Sequence, residues 1–103
     1  MKIYEVWHAD PPQFSFYLND KEKNVTRIRS EFPNGYQHIA DVRADDLNEV
    51  FHLTNTVEEL WTRNVEIAEV YGDQFRSTSV GDVIIDGKQR WLVDGIGWID
   101  IST

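Results

Sequence analysis

The closing stretch VIIDGKQRWLVDGIGWIDI (residues 83–101) constrains the fold of this chain more than any other. Asp86-Gly87 and Asp94-Gly95 each lie between runs rich in Val, Ile, Leu and Trp. Asp-Gly is a strong short-range hairpin signal, because tight antiparallel turns need positive φ, which glycine adopts without strain. Two such turns in succession make three consecutive antiparallel strands, so the core has to be built on a sheet.

Other segments fit that sheet. KIYEVWH (residues 2–8) is rich in β-formers and is stopped by ADPP; YQHIADVRA follows the PNG turn signal at Pro33–Gly35; VEIAEVY returns to period-two alternation. In DDLNEVFHLTN, Leu47, Val50, Phe51 and Thr54 repeat at helical spacing. Asp46 with Glu49 three residues later forms a capping-box-like start, and Asn55 suits the end. The expected fold class is α+β, a curved, mainly antiparallel sheet, with barrel-like closure as an option, and one principal helix. Strands are expected near residues 2–8, 36–43, 65–71, 82–86, 88–93 and 96–101, with the helix within 45–55. FSFYL (residues 14–18) reads as a short strand or an aromatic-clamped loop, and NDKEKNVTRIRSEF (residues 19–32) as a polar, exposed excursion.

A chain of 103 residues is expected to form a single domain, residues 1–103, with one modest core. Its 41% hydrophobic content and 4 Trp separate it from disordered acidic tails, which are poor in aromatics. Without cysteine it has no disulfide framework and no thiolate ligand or nucleophile. The opening residues lack the apolar core of a signal peptide, and no apolar run approaches the roughly 20 residues that span a bilayer. The expectation is a cytoplasmic protein with no membrane partner.

The net charge of −8 is concentrated: residues 44–73 hold eight acids against Arg63 alone. Direct nucleic-acid binding is disfavoured, since that requires clustered Lys and Arg. The acids Asp45, Asp46, Glu49, Glu58, Glu59, Glu66, Glu69 and Asp73 read first as solvated faces. Their other reading is a phosphate mimic that occupies a basic groove on a host protein.

Two stretches concentrate binding chemistry. In RSTSVGD, Arg76, Ser77, Thr78 and Ser79 precede a Gly-Asp turn. The guanidinium fork and three hydroxyls are suitable donors for a phosphate or carboxylate; equally, hydroxyls in such a turn satisfy local backbone groups. In LTNTVEELWTRN, Asn55, Trp61, Arg63 and Asn64 combine amides, one cation and a flat aromatic surface able to face a base or ribose. There, the plain alternative is a helix cap and a core tryptophan. His8, His38 and His52 form no metal-ligand spacing, and neither HExxH nor GxxxxGK[ST] occurs. No catalytic residue, metal or cofactor is indicated.

The segments FHLTN, LWTRN, RSTSVGDVI and VDGIGWIDI together resemble a group of small uncharacterised proteins of bacteriophages and bacterial mobile elements. Members share Thr-Asn (here Thr54-Asn55), Trp followed by Asn (Trp61, Asn64), an Arg-Ser-Thr-Ser-x-Gly-Asp-Val stretch (Arg76 to Val83) and a terminal Gly-Trp (Gly97-Trp98). The resemblance implies an accessory protein that counters host defence. The preferred expectation is a sponge that binds and sequesters a small nucleotide-derived immune signal without catalysis, through Arg76, Ser77, Thr78, Ser79, Trp61, Asn55 and Asn64. The alternative is an acidic inhibitor that occludes a host nucleic-acid-binding or defence protein. Sheet edges in so small a domain also lead to the expectation of a homo-oligomer.

Overall fold

The structure, a computed structural model, describes residues 2–10, 21–55, 66–71, 76–95 and 97–102. Its strands are β1 (Lys2–Ala9), β2 (Tyr36–Ala44), β3 (Ile67–Val70), β4 (Val83–Asp86), β5 (Gln89–Asp94) and β6 (Gly97–Asp100). They form one antiparallel sheet in the order β3-β2-β1-β4-β5-β6. The barrel option is thereby corrected. Closure requires the first and last strands to hydrogen-bond, and here β3 and β6 stand at opposite edges. The expected FSFYL segment lies outside the described residues.

The C-terminal meander follows from its turns. β4 and β5 pair with Asp86 opposite Gln89, leaving Gly87-Lys88 as a two-residue loop. Gly87 has φ +59 and Lys88 does not have positive φ, the pattern of a type II′ turn with glycine at its first central position. β5 and β6 then pair with Asp94 opposite Gly97.

Two helices cover opposite faces of the sheet: α1 (Lys21–Glu31) and α2 (Leu47–Thr54). α2 forms as its sequence dictates. Asp46 is the N-cap, and its carboxylate accepts the Glu49 N–H at 2.9 Å. Val50 is completely buried against Tyr4, Val6, Ala40, Val42, Ile84 and Val93. Burying such a side chain stabilises by about 1.5–3 kcal/mol, which anchors an otherwise short helix.

α1 corrects the reading of residues 21–32 as an exposed excursion and adds a second helix beside the expected one. Val25 and Ile28 stand three apart and Phe32 follows just past the helix end, so one stripe faces the sheet while the rest is polar. These three pack with Val83, Leu92 and Ile101, the side chains that alternate onto the face opposite Ile84 and Val93. A β-bulge at Ile39 separates the pairs Val6–Ala40 and Trp7–His38, re-aiming the start of β2. Arg29 reaches from α1 to the β6 edge, donating to Asp100 O at 3.1 Å.

Among the described residues, no helix is long and apolar enough to cross a membrane.

Candidate functional site: an Asp82 bracket and the cleft it supports

The RSTSVGD segment connects to β4 through a turn in which Asp82 N–H returns to Ser79 O at 3.0 Å. Gly81, at φ +94, occupies the position of that turn that needs positive φ, as in a type II turn. The turn drives the Asp82 carboxylate inward, where the residue is completely buried.

Four donors meet that carboxylate. Oδ1 accepts Ala9 N–H at 2.9 Å and Arg76 Nη2 at 2.6 Å; Oδ2 accepts Arg76 Nη1 at 2.7 Å and Ser79 N–H at 2.8 Å. The Arg–Asp contact is therefore a two-point, charge-assisted fork. Arg76 also donates to Ala9 O at 3.0 Å, Ser77 O at 3.1 Å and Ser79 Oγ at 3.3 Å. One guanidinium thus ties the end of β1 to the loop before β4.

Thr78 carries the network to α2. The residue is completely buried, and its hydroxyl lies 2.8 Å from His8 Nε2. Thr78 N–H donates to Thr54 O at 2.9 Å, and Thr78 O accepts a hydrogen bond from Asn55 Nδ2 at the helix C-cap. His8 stands 4.0 Å from Asp82 Oδ2. Burial lowers its pKa to about 4, the Asp82 charge opposing that shift and Arg76 reinforcing it. The imidazole is neutral at pH 7.

The fold thus brings together five of the seven residues singled out in the sequence: Arg76, Ser77, Thr78, Ser79 and Asn55. Trp61 and Asn64 lie outside the described residues. The Arg76 side chain keeps 29% exposure, but its fork turns inward to Asp82. Chemically, this cluster is a bracket that fixes the loop against β1, α2 and β5. Gly81 N–H to Val93 O at 3.0 Å and Val93 N–H to Asp82 O at 2.8 Å complete it.

Beside the bracket lies a cleft of about 220 Å³ that sequence reasoning missed. It is lined by Asn48 and Phe51 of α2, Val80 of the bracketed loop, Val93, Asp94 and Gly95, and Gly97 and Trp98 of β6. Phe51 and Trp98 meet edge-to-face at 85°, with centroids 6.1 Å apart. Trp98 Nε1–H donates to Asn48 Oδ1 at 3.1 Å. Gly95 and Gly97 stand at the rim, and among the described residues a Cβ at either position would meet no atom beyond its chain neighbours within 4 Å. The available signal was Gly97-Trp98, whose aromatic ring has no polar neighbours in sequence that mark it as different from core.

Among the described residues, no group of three or more His, Cys, Asp or Glu is placed to hold a metal ion. No protein-family model, curated protein or solved structure matches the chain.

Proposed function

We propose that the chain is a non-catalytic capture protein that holds a small nucleotide-like ligand by its base and returns it unchanged. In the phage or mobile-element setting implied by the resemblance, it sequesters a nucleotide-derived immune signal in the host cytoplasm. The cleft carries this reading. Two perpendicular rings and an amide offer a flat heterocycle a stacking surface and a polar contact. Stacking on an aromatic side chain contributes about 1–3 kcal/mol per base. About 220 Å³ is less than the roughly 300–1,000 Å³ of drug-sized pockets, so a base or ribose enters while phosphates stay at the mouth. The Arg76–Ser79 segment then serves as the rigid support that presents Val80, rather than as the anion contact.

The test is a titration of the protein with nucleosides and nucleotides, following the Trp98 indole Nε1–H by NMR, with bound ligand then released by heat and identified by mass. A shifted indole and an unaltered ligand are expected. On a chain of net charge −8, a nucleotide held by its base binds more tightly as salt screens repulsion; an anion held by Arg76 binds less tightly. An unmoved Trp98 resonance with every ligand refutes the cleft, and chemically altered ligand would make the protein an enzyme.

The acidic-inhibitor reading also has an observation in its favour. The registers Glu5–Asp41 and Asp41–Glu69 set three carboxylates side by side across β1, β2 and β3. Like charges directly opposite on a sheet are unfavourable; Trp7 Nε1–H on Glu5 and His38 and Tyr71 on Asp41 offset part of that, and a basic partner would offset the rest. Reversing Glu5 and Glu69 to Lys abolishes host-protein binding on that reading and leaves ligand capture intact.

A further inference from the structure

The edge that the cleft presents to a base follows from the contact between Trp98 and Asn48. Indole Nε1–H is a donor only, so the Asn48 atom facing it at 3.1 Å must be the carbonyl oxygen. That turns the carbonyl toward the indole and sets the NH2, a pure donor, on the side of the amide away from it. Asn48 lies in the first turn of α2, held by the Asp46 cap, and it shares a helix side with Phe51 three residues on. The donor and the aromatic wall therefore stand on the same side of the same helix.

Resting on the reading that the cleft holds a nucleobase, we infer that Asn48 is its specificity-determining residue and selects oxo bases over amino bases. Hypoxanthine, guanine and uracil place a carbonyl acceptor where adenine and cytosine place an amino donor. An amide that turns its NH2 to the base pairs with the carbonyl and opposes the amine. A well-formed bidentate pairing of a side-chain amide with a base edge discriminates by roughly 5- to 150-fold. At an exposed contact such as Asn48, the expected preference is roughly tenfold, near the lower end of that range.

Inosine and adenosine share ribose and purine frame and differ in the group at the 6-position, so they isolate the effect. Titrated separately into the ¹⁵N-labelled protein, inosine is expected to bind about tenfold more tightly and to shift both the Trp98 Nε1–H and Asn48 NH2 resonances. Asn48→Asp substitutes acceptors for the donor pair while keeping an oxygen for Trp98. An acid in the first helical turn also suits the dipole, so the variant is expected to fold. Its preference is expected to reverse toward adenosine. If adenosine shifts Trp98 and binds the native protein as tightly as inosine, base selection is overturned while capture in the cleft stands. Retention of the inosine preference by Asn48→Asp overturns the role of Asn48. If neither nucleoside moves Trp98, nucleobase capture itself fails.

Discussion

The Asp82 bracket and the Trp98 cleft share one loop, and they dispose of polarity in opposite ways. In the bracket, four donors converge on one buried carboxylate, and the Thr78 hydroxyl is paired with His8. In the cleft, two aromatic rings line a concave surface and the polar contacts, Trp98 to Asn48 and Gly95 N–H to Asp94, are exposed. The region densest in donors thus spends them on internal partners, while the region proposed to face a ligand is sparser and aromatic. A polar residue signals binding only when the fold leaves its hydrogen-bonding capacity for a ligand, and burial decides that.

The strongest challenge to this contrast is Asp82→Ala. It leaves the Arg76 guanidinium without its carboxylate and strips acceptors from Ala9 and Ser79 N–H. Breaking a buried pair from one side costs about 3–5 kcal/mol, a large share of the roughly 5–15 kcal/mol that stabilises a typical domain. Urea denaturation is expected to show that loss. A drop below about 1 kcal/mol would mean that the bracket is not structural and that Arg76 is available to a ligand.

Next in size is the response to acid. The folded His8 pKa of about 4 lies below the ordinary 6.5, so the unfolded chain binds the proton first as pH falls. The stability contributed by neutral His8 is complete above about pH 6.5. It declines from there toward pH 4 and falls no further once both states are protonated. At about 1.4 kcal/mol per pH unit the full effect is roughly 3 kcal/mol. Urea midpoints measured from pH 4 to 7 are expected to fall more steeply for the native protein than for His8→Gln. Equal slopes would place His8 outside the bracket.

These two effects also mark where the sequence stops being legible. Local signals read correctly: Asp46 caps α2 as its spacing to Glu49 requires, Gly87 makes its turn, and Leu47, Val50, Phe51 and Thr54 give the helical period. α1 escaped because Val25 and Ile28 are the two apolar residues within its span, and the third anchor, Phe32, lies beyond its end. Arg76 turns inward on Asp82, six residues on, and on the distant Ala9 O, whereas the direction of Thr78 is set by a partner far along the chain. Thr78 meets His8 across 70 positions, and Asn48 meets Trp98 across 50. Residue types identified the loop; burial of Asp82 against Ala9 and pairing of Thr78 with His8 determined that it faces inward.

On the cleft side of the comparison, Trp98→Ala removes one of the two ring walls while leaving the Asp82 network untouched. An edge-to-face contact contributes about 0.5–1.5 kcal/mol beyond the area buried, so a modest stability change is expected. Ligand affinity measured by calorimetry is expected to fall at least about tenfold, from the loss of stacking. A variant that binds as tightly as the native protein would move the ligand out of the cleft.

The smallest effect gives the finest discrimination, because Asn55 belongs to both readings. As a ligand contact, it would lose affinity on replacement by Ala. As a strut, it holds Thr78 O at the end of α2 through its Nδ2, while its backbone N–H closes the helix on Phe51 O at 2.8 Å. Ala keeps the backbone bond and loses the side-chain bond, whose net contribution is about 0.5–1.5 kcal/mol. Asn55 is exposed in the structure, so water can satisfy part of what Thr78 O loses, and the lower half of that range is expected. Paired measurements on Asn55→Ala are therefore expected to show a small fall in urea midpoint and unchanged nucleoside affinity. Unchanged stability with weakened binding would return Asn55 to the ligand and draw the boundary of the site through the bracket.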